Sequence, residues 1–153
     1  MKIFFGGIIQ GSGQGQDIHS QNYRDRVKSL IGSRYPDIEI FDPVENHKDS
    51  VEYTDEQAHA TFFNHLKIID NCDLMIAYLP LASMGTAIEM NRAYDRNIPI
   101  LSISPMATNW VIRLLAHNNF ETIEAFEKYI SENDIRDLFN SRKRKADDVQ
   151  ETA

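Results

Sequence analysis

The residues best suited to do chemistry lie in one short segment, Ser83 to Glu89, directly after the apolar run 74–79. The pattern predicts a buried strand, a turn of small residues and a helix carrying a carboxylate. In an open parallel α/β sheet, ligands bind beyond the carboxyl ends of the strands, so we expect Glu89 to face the ligand crevice. A carboxylate there suits covalent chemistry at a glycosidic carbon. The alternative is an ordinary strand–turn–helix unit whose acid is not catalytic.

Other residues are candidates because of their place in the predicted elements. Asp42 follows a strand at the same edge, where it either lines the pocket or caps a turn. Gly6 and Gly7 end the first strand, where they either let a ligand approach the backbone, with Gly7 the closest, or make a tight turn. His65 lies on a helix that leads toward the strand 74–79, as a candidate acid or as an ordinary surface histidine. Asp73 precedes that strand, at the opposite end of the sheet, and is predicted to be structural.

Several common kinds of site are disfavoured by the spacing of the residues. The loop Gly11–Gln16 has Gln16 where a dinucleotide fingerprint needs its third glycine, and no Gly-Lys-Ser/Thr follows. The five histidines lack metal-ligand spacing, and the single Cys72 excludes a multi-cysteine zinc site. Ser83 has no nucleophile-elbow pattern around it. We therefore predict no metal and no cofactor.

The elements that must position these residues alternate between strands and helices, which predicts a parallel sheet with right-handed crossovers. A Thr-Asp-Glu-Gln capping box at 54–57 begins one helix, Gly32 is placed to end another, and 44–54 is a polar loop predicted to cover the site. We predict a single domain over 1–140 and a disordered charged tail over 141–153. The predicted strands are 2–9, 38–41, 74–79, 98–103 and one near 120, and the predicted helices are 22–31, 54–70, 84–96, 109–116 and 123–129.

Composition narrows the possible partners. The 153 residues are 42% hydrophobic with a formal charge of -7, which disfavours a general nucleic-acid or acidic-membrane binder. A small anionic ligand remains compatible, because a few amides can hold one phosphate. The short apolar N-terminus lacks a signal-peptide pattern and no run reaches membrane-spanning length, so a soluble, cytoplasmic protein is expected. The basic run Arg142–Lys145 is either a solvated tail or, in a eukaryote, a nuclear-import patch.

Three segments together carry a family resemblance. Phe4-Phe5-Gly6-Gly7-Ile8-Ile9-Gln10-Gly11, then Asp42-Pro43, then Ser83-Met84-Gly85-Thr86-Ala87-Ile88-Glu89 with Ala93-Tyr94 resemble the nucleoside 2-deoxyribosyltransferase superfamily, which includes 2'-deoxynucleoside 5'-phosphate N-hydrolases. The resemblance extends in order over about residues 2 to 130, and its most specific part is 83–94.

The resemblance implies a flavodoxin-like three-layer sandwich with a mostly parallel five-stranded sheet, in a homodimer or dimer-based oligomer. It implies that Glu89 is the nucleophile that attacks the anomeric carbon and forms a glycosyl-enzyme. Another base or water then resolves this intermediate with retention. Asn109 matches an asparagine that reaches into the neighbouring subunit's site to hold the sugar.

Three positions depart from the pattern of the family. Ser83 replaces a transferase aspartate that binds the sugar 5'-hydroxyl, and resembles the serine with which the monophosphate hydrolases bind phosphate. The hydrolases' first-loop serine and arginine correspond to Ile8 and Gln10. His65 replaces an aspartate that contacts the base, and Phe4 replaces a tyrosine that orients the nucleophile.

The sequence therefore favours an N-glycosidase or transferase acting on a nucleoside or nucleoside 5'-monophosphate. Glu89 and His65 are the candidate catalytic residues, and Gly7, Asp42, Ser83, Gly85 and Asn109 the candidate substrate-binding residues. One alternative is a nucleotide-binding module that has lost catalysis, motivated by Phe4 and His65. Another is NAD-cleaving chemistry, which needs only a glutamate and a nicotinamide ribosyl bond.

Overall fold

A computed structural model describes residues 1–9, 20–47 and 49–138. Within them, five parallel strands form one sheet in the order β2-β1-β3-β4-β5. This is the flavodoxin-like strand order, so the predicted three-layer α/β sandwich is confirmed, and the described sheet is parallel throughout. Its strands are β1 Lys2–Gly7, β2 Glu39–Phe41, β3 Leu74–Tyr78, β4 Ile100–Ile103 and β5 Asn118–Phe120.

In the described ranges, α-helices and one short 3-10 helix connect the strands and follow the last one. The α-helices are α1 Asn22–Arg34, α2 Pro43–Asn46, α3 Asp55–Ile69, α4 Met84–Asp95, α5 Trp110–Leu115 and α6 Ile123–Glu132, and the 3-10 helix is Ser50–Glu52. None of the helices in the described ranges is long and apolar enough to cross a membrane.

Two apolar clusters, one on each face of the sheet, make up the core. One packs α1 and α6 against the sheet through side chains such as Val27 and Phe126. The other packs α3, α4 and α5 against the opposite face, through side chains such as Ile69, Met90 and Ile112. The central strands read as continuous apolar runs because both of their faces are covered.

The predicted end of α1 at Gly32 is wrong, since the helix continues to Arg34. An added Cβ at Gly32 would meet nothing within 4 Å, so the glycine is an ordinary helical position. The last turn is held from outside the helix, because the Arg34 guanidinium donates to the carbonyl oxygen of Ser131 at 2.9 Å. Tertiary contact therefore outweighs the helix-ending preference of glycine.

The predicted loop 44–54 contains α2 and the 3-10 helix Ser50–Glu52. Asp42 begins α2 by accepting a hydrogen bond from the Val44 backbone N–H at 3.0 Å, and Pro43 fits the first helical position. The predicted capping box is confirmed, because Thr54 and Gln57 exchange both hydrogen bonds at the start of α3. The predicted loop Gly11–Gln16 and the predicted tail lie outside the described residues.

Candidate active site

A cleft of about 280 Å³ opens at the carboxyl edge of the sheet, where β1 and β3 leave in opposite crossover directions. We name its two sides by their residues. The Glu89 wall comprises Ser83, Met84, Gly85, Thr86 and Glu89, and the histidine wall comprises Pro43, His47, Ser50, Phe62 and His65; Gly7, Ile9 and Arg24 complete the lining.

Glu89 is held in the cleft by the close approach of α4 to β1. The residue is 8% exposed and lies in the second turn of α4, facing the end of the strand. A Cβ added to Gly6 would lie 2.9 Å from Oε2 of Glu89. Any side chain at this position would therefore displace the carboxylate. What the sequence did not predict is the role of Gly6, which is to leave room for the Glu89 carboxylate.

The Glu89 carboxyl group has a pKa raised to about 8, because burial removes water from its charged form. The Arg24 guanidinium opposes this rise in pKa. Among the described residues, no side chain donates a hydrogen bond to the carboxylate. Phe4 is fully buried in the core behind it. Near pH 7, Glu89 is therefore mostly protonated.

Arg24 is a site residue that the sequence analysis missed. Its side chain is 3% exposed and donates to Asp42 at 2.7 Å and to the carbonyl oxygens of Phe5 and Gly7 at 3.3 Å. The signal was its spacing: Arg24 precedes Val27 by three residues, which places both on the core-facing side of α1. A buried arginine so placed acts as a fixed positive charge beneath the cleft.

Asp42 supports this arginine rather than lining the pocket. It is 1% exposed, pairs with Arg24, and lies 3.1 Å from the ammonium of Lys28. Of the two interpretations of Asp42, the structure selects the cap of a turn, since its carboxylate accepts from Val44 at the start of α2. Asp73 is confirmed as structural, because it accepts a hydrogen bond from the Lys2 backbone N–H at 2.8 Å.

Gly7 lies at the cleft, but the space beside it is occupied by protein. A Cβ added there would come within 2.5 Å of the Tyr23 hydroxyl. That hydroxyl donates to the carbonyl oxygen of Ile8, and the Tyr23 ring stacks on Tyr78 with centroids 3.9 Å apart. The glycine at 7 is thus required by the tyrosine. In this structure the space beside Gly7 is filled by Tyr23 and not left for a ligand, so the observed role of Gly7 is in packing.

Ser83 and Thr86 form the entrance to α4 on the Glu89 wall. Ser83 is the N-cap, and its Oγ accepts from the Thr86 backbone N–H at 3.4 Å and from the Thr86 hydroxyl at 3.1 Å. Both of these bonds use Ser83 as an acceptor, so its own hydroxyl hydrogen stays available to a ligand. Gly85 has nothing within 4 Å of an added Cβ, which leaves open space at this turn.

His65 faces the same cleft from α3. Its ring packs edge-on against Phe4 and Phe41, with centroids 6.4 and 5.7 Å away, and Nε2 is buried without a hydrogen-bond partner in the described structure. Burial, and to a smaller extent the nearby His47, lower its pKa to about 4. His65 is therefore a neutral imidazole at physiological pH, with an unused polar atom at the apolar side of the cleft.

His47 joins His65 in the cleft and was not singled out from the sequence. The two imidazole rings are 5.2 Å apart, and Nδ1 of His47 is 2.8 Å from the Tyr53 hydroxyl. His47 follows α2 directly, within the segment 44–54 that was predicted as a polar loop covering the site. No periodicity marks such a residue, because its position depends on how the chain folds between α2 and α3.

Asn109 does not line this cleft. It caps α5, where its side chain accepts from the Val111 backbone N–H at 2.9 Å. Beside it, Trp110 is 72% exposed. Within one chain, therefore, Asn109 makes no contribution to the cleft.

The sequence model of the nucleoside 2-deoxyribosyltransferase family matches residues 10–133, which is well over half of the chain. The chain belongs to this family. Membership supports glycosyl transfer or cleavage on nucleosides as the general chemistry of the site. No individually curated protein matches the sequence significantly.

Solved structures support the same fold. The chain is similar to a 2-deoxyribosyltransferase of Bacillus psychrosaccharolyticus, with 21% identity, coverage of 90% of this chain and 96% of the other, and a TM-score of 0.66. It is similar to a conserved protein of Enterococcus faecalis V583 with 18% identity, 86% and 97% coverage and a TM-score of 0.58. It also resembles the CMP N-glycosidase of Clostridium botulinum, with 15% identity, 87% and 100% coverage and a TM-score of 0.50.

Proposed function

We propose that this protein cleaves or transfers at the N-glycosidic bond of a nucleoside or nucleoside 5'-monophosphate through a glycosyl-enzyme on Glu89. The observation that carries the proposal is the buried Glu89 carboxyl group in the cleft at the carboxyl edge, with its pKa raised to about 8. Perturbed acids in clefts are characteristic of catalytic sites. The family to which the chain belongs supplies the class of substrate.

The environment of Glu89 suits a nucleophile whose charge disappears during the reaction. Attack on the anomeric carbon converts the carboxylate into an ester, as the bond to the base breaks through an oxocarbenium-like transition state. A site that solvates the carboxylate poorly favours the uncharged ester over the charged starting group. Water or a second base then attacks the same carbon and releases Glu89, with retention overall.

His65 is proposed to contact the base, where the family has an aspartate. Its neutral ring and buried, unpartnered Nε2 lie beside Phe4 and Phe41, on the histidine wall. Such a wall fits a flat heterocycle with polar edges, because aromatic side chains pack on its faces while one nitrogen meets an edge. A base bound there satisfies the orphaned nitrogen.

The sugar end is proposed to lie at the start of α4. The hydroxyl of Ser83 and the amides near Gly85 can hold a 5'-hydroxyl or a 5'-phosphate, and the positive end of the helix dipole favours the phosphate. A neutral serine repels neither group. Arg24 adds a buried positive charge to the same cleft.

We further propose that the protein works as a homo-oligomer built on α4 and α5. Asn109 lies outside the cleft of its own chain, so it can hold a sugar only in a neighbouring subunit. The helices beside it expose Met84, Ile88 and Trp110, which are 82%, 48% and 72% exposed. Exposed apolar side chains of this size characterise association surfaces.

The experiment is incubation of the purified protein with a panel of nucleosides and 5'-monophosphates, with and without an acceptor base. Wild type should release free base, and intact-mass measurement on a slow substrate should show one glycosyl adduct. Glu89→Gln should lower the rate by about 10³-fold or more and form no adduct. Glu132→Gln, on the exposed end of α6, serves as the matched control. Equal base release by wild type and Glu89→Gln would overturn the assignment.

A second candidate function is nucleotide binding without catalysis. The observation in its favour is that no described side chain donates a hydrogen bond to Glu89, because Phe4 stands at the position of the family's orienting tyrosine. Calorimetry that shows micromolar binding of a nucleotide, together with no base release over a day, would select this function. Any turnover that Glu89→Gln abolishes would exclude it.

A further inference from the structure

Two imidazole rings on the histidine wall, those of His47 and His65, differ in how far they are enclosed by protein. His65 is enclosed by Phe4 and Phe41, and its Nε2 is buried. His47 is half-buried and lines the same cleft. An acid must take up a proton again before the next turnover, and a buried ring nitrogen exchanges protons poorly with water.

The hydrogen bond between His47 and Tyr53 fixes the geometry of the more accessible ring. With Nδ1 of His47 held 2.8 Å from the phenolic oxygen, Nε2 is the ring nitrogen left for a ligand. Among the described residues, Nε2 of His47 has no hydrogen-bond partner. The edge-on packing of the Tyr53 ring, with centroids 5.8 Å apart, restricts rotation of the imidazole further.

We propose that His47 is the acid that protonates the leaving base, with Tyr53 as its positioning residue and His65 as a base contact only. This inference rests on the proposed function and adds a catalytic residue to it. Two observations carry it: His47 and Glu89 line one cleft, and Tyr53 engages only one of the two nitrogens of His47. Its neighbour His65, with its pKa lowered to about 4, is almost never protonated near neutral pH.

In the proposed reaction, His47 gives up one proton in the first half and regains one in the second. In the first half, the Glu89 carboxylate forms a bond to the anomeric carbon while the carbon–nitrogen bond breaks and its electron pair goes to the base. The imidazolium of His47 gives its proton to that base and becomes neutral. In the second half, water attacks the same carbon, its proton returns to His47, and the ester bond to Glu89 breaks.

Several charged or titratable groups face His47 from the surrounding elements. Tyr53 follows the 3-10 helix, His65 comes from α3 below, and Glu89 and Arg24 lie across the cleft. His59 and Lys67 lie in a neighbouring open depression on the outer side of α3, which His47 also borders. Of the groups across the cleft, Glu89 is the one that acts with His47 on the substrate.

The test compares two leaving groups in wild type and His47→Gln. One substrate is the best nucleoside or monophosphate found in the panel, whose base must be protonated as it leaves. The other is 4-nitrophenyl 2-deoxyriboside, whose nitrophenolate leaves without a proton. We expect His47→Gln to lower kcat on the nucleoside by about 10²-fold or more, while the rate on the nitrophenyl substrate stays within about threefold.

The positioning residue gives a second readout that a merely structural role does not move. Tyr53→Phe, which keeps the ring and removes the hydroxyl, should give a smaller loss with the same dependence on leaving group. His59→Gln, on the outer side of α3, should behave as wild type.

The outcomes separate the two proposals. Equal loss on both substrates, or no loss on either, overturns the role of His47 while Glu89-dependent base release keeps the proposed function. If wild type releases no base from any substrate, both proposals fail. If His47→Gln does not fold, the test uses Tyr53→Phe. A ratio of the nucleoside rate to the nitrophenyl rate that equals the wild-type ratio would then overturn the proposal.

Discussion

The two walls of the cleft are built in opposite ways. The Glu89 wall is one turn and the first two turns of α4, so its residues are positioned by a regular helix with its own cap at Ser83. The histidine wall is assembled from α2, the 3-10 helix and α3, over a segment of more than twenty residues. Its two histidines meet only because the short α2 and 3-10 helix fold back onto α3.

The difference has a functional consequence under the proposed mechanism. The nucleophile needs a position fixed to within a fraction of an ångström, and a helix packed against a glycine-ended strand supplies it. The base-binding side must accept different heterocycles, and short elements with aromatic and imidazole side chains adapt more readily. We expect substitutions on the Glu89 wall to change rate, and substitutions on the histidine wall to change substrate choice and pH dependence.

Beyond the substitutions of Glu89 and His47 already described, the largest effect on rate is expected from Gly6→Ala. The new methyl group would lie 2.9 Å from Oε2 of Glu89 and from Cε of Met75, so the carboxylate must shift. A misplacement of this size costs about 10²-fold in kcat. The comparison is Gly32→Ala, where the methyl meets open space; this variant should keep full activity and gain about 0.5–1 kcal/mol of stability. Full activity in both variants would show that the Glu89 wall is not rigid.

Next in size is the effect of charge at Ser83 on the choice between monophosphate and nucleoside. Ser83→Asp preserves the N-cap of α4 but places a negative charge beside a 5'-phosphate. We expect kcat/KM for the monophosphate to fall about tenfold relative to the nucleoside, equivalent to about 1.4 kcal/mol. Ser83→Asn, a neutral cap of the same size, is the control. Equal ratios in the two variants would contradict a phosphate subsite at this turn.

An effect of similar size is expected on the free energy of unfolding of Glu89→Gln relative to wild type. Between pH 4.5 and about 8, the unfolded chain has lost the Glu89 proton while the folded protein keeps it. Wild-type stability should therefore fall as pH rises through this window. At pH 8, the free energy of unfolding of Glu89→Gln, measured by denaturant titration, should exceed that of wild type by at least about 1.4 kcal/mol. Near pH 4 this difference should vanish. A pH-independent difference would argue against the raised pKa.

The smallest effect is expected from His65→Phe, and it has the opposite sign. Between pH 6.5 and about 4, the unfolded histidine carries a proton that the folded one lacks, so wild-type stability falls as pH drops. His65→Phe fills the same aromatic environment without a titrating group, and should remove about 1 kcal/mol of that acid sensitivity. His59→Gln should leave it in place. Identical acid unfolding curves for His65→Phe and wild type would contradict the lowered pKa.

Much of the fold was predictable because it depends on local patterns. The apolar runs predicted the five strands in order, and Thr54 with Gln57 marked the start of α3. The predictions failed where long-range contacts decide, as at Gly32, where Ser131 of α6 holds the end of α1 through Arg34. Short elements such as α2 were also not predicted, since the periodicity of four residues is too weak to identify a helix.

The candidate site divides in the same manner. The sequence could predict the residues at the start of α4, namely Glu89, Ser83 and Gly85. They follow one strand and lie on a single helix start, so residues that are close in sequence are also close in the structure. Arg24 and His47 were not predicted, although Arg24 lies on the core-facing side of α1. What brings them to the cleft is the packing of α1 and α2 against the end of the sheet.

The sequence by itself determined the α/β alternation, the family and the helix that presents Glu89, because period, caps and turn residues act over a few neighbouring positions. Only the tertiary structure decided how that acid ionises and what faces it. The pKa of Glu89 depends on water removed by β1 and on the charge of Arg24, which is 65 residues away along the chain. Desolvation and charge proximity are properties of the packed protein, and no local pattern encodes them.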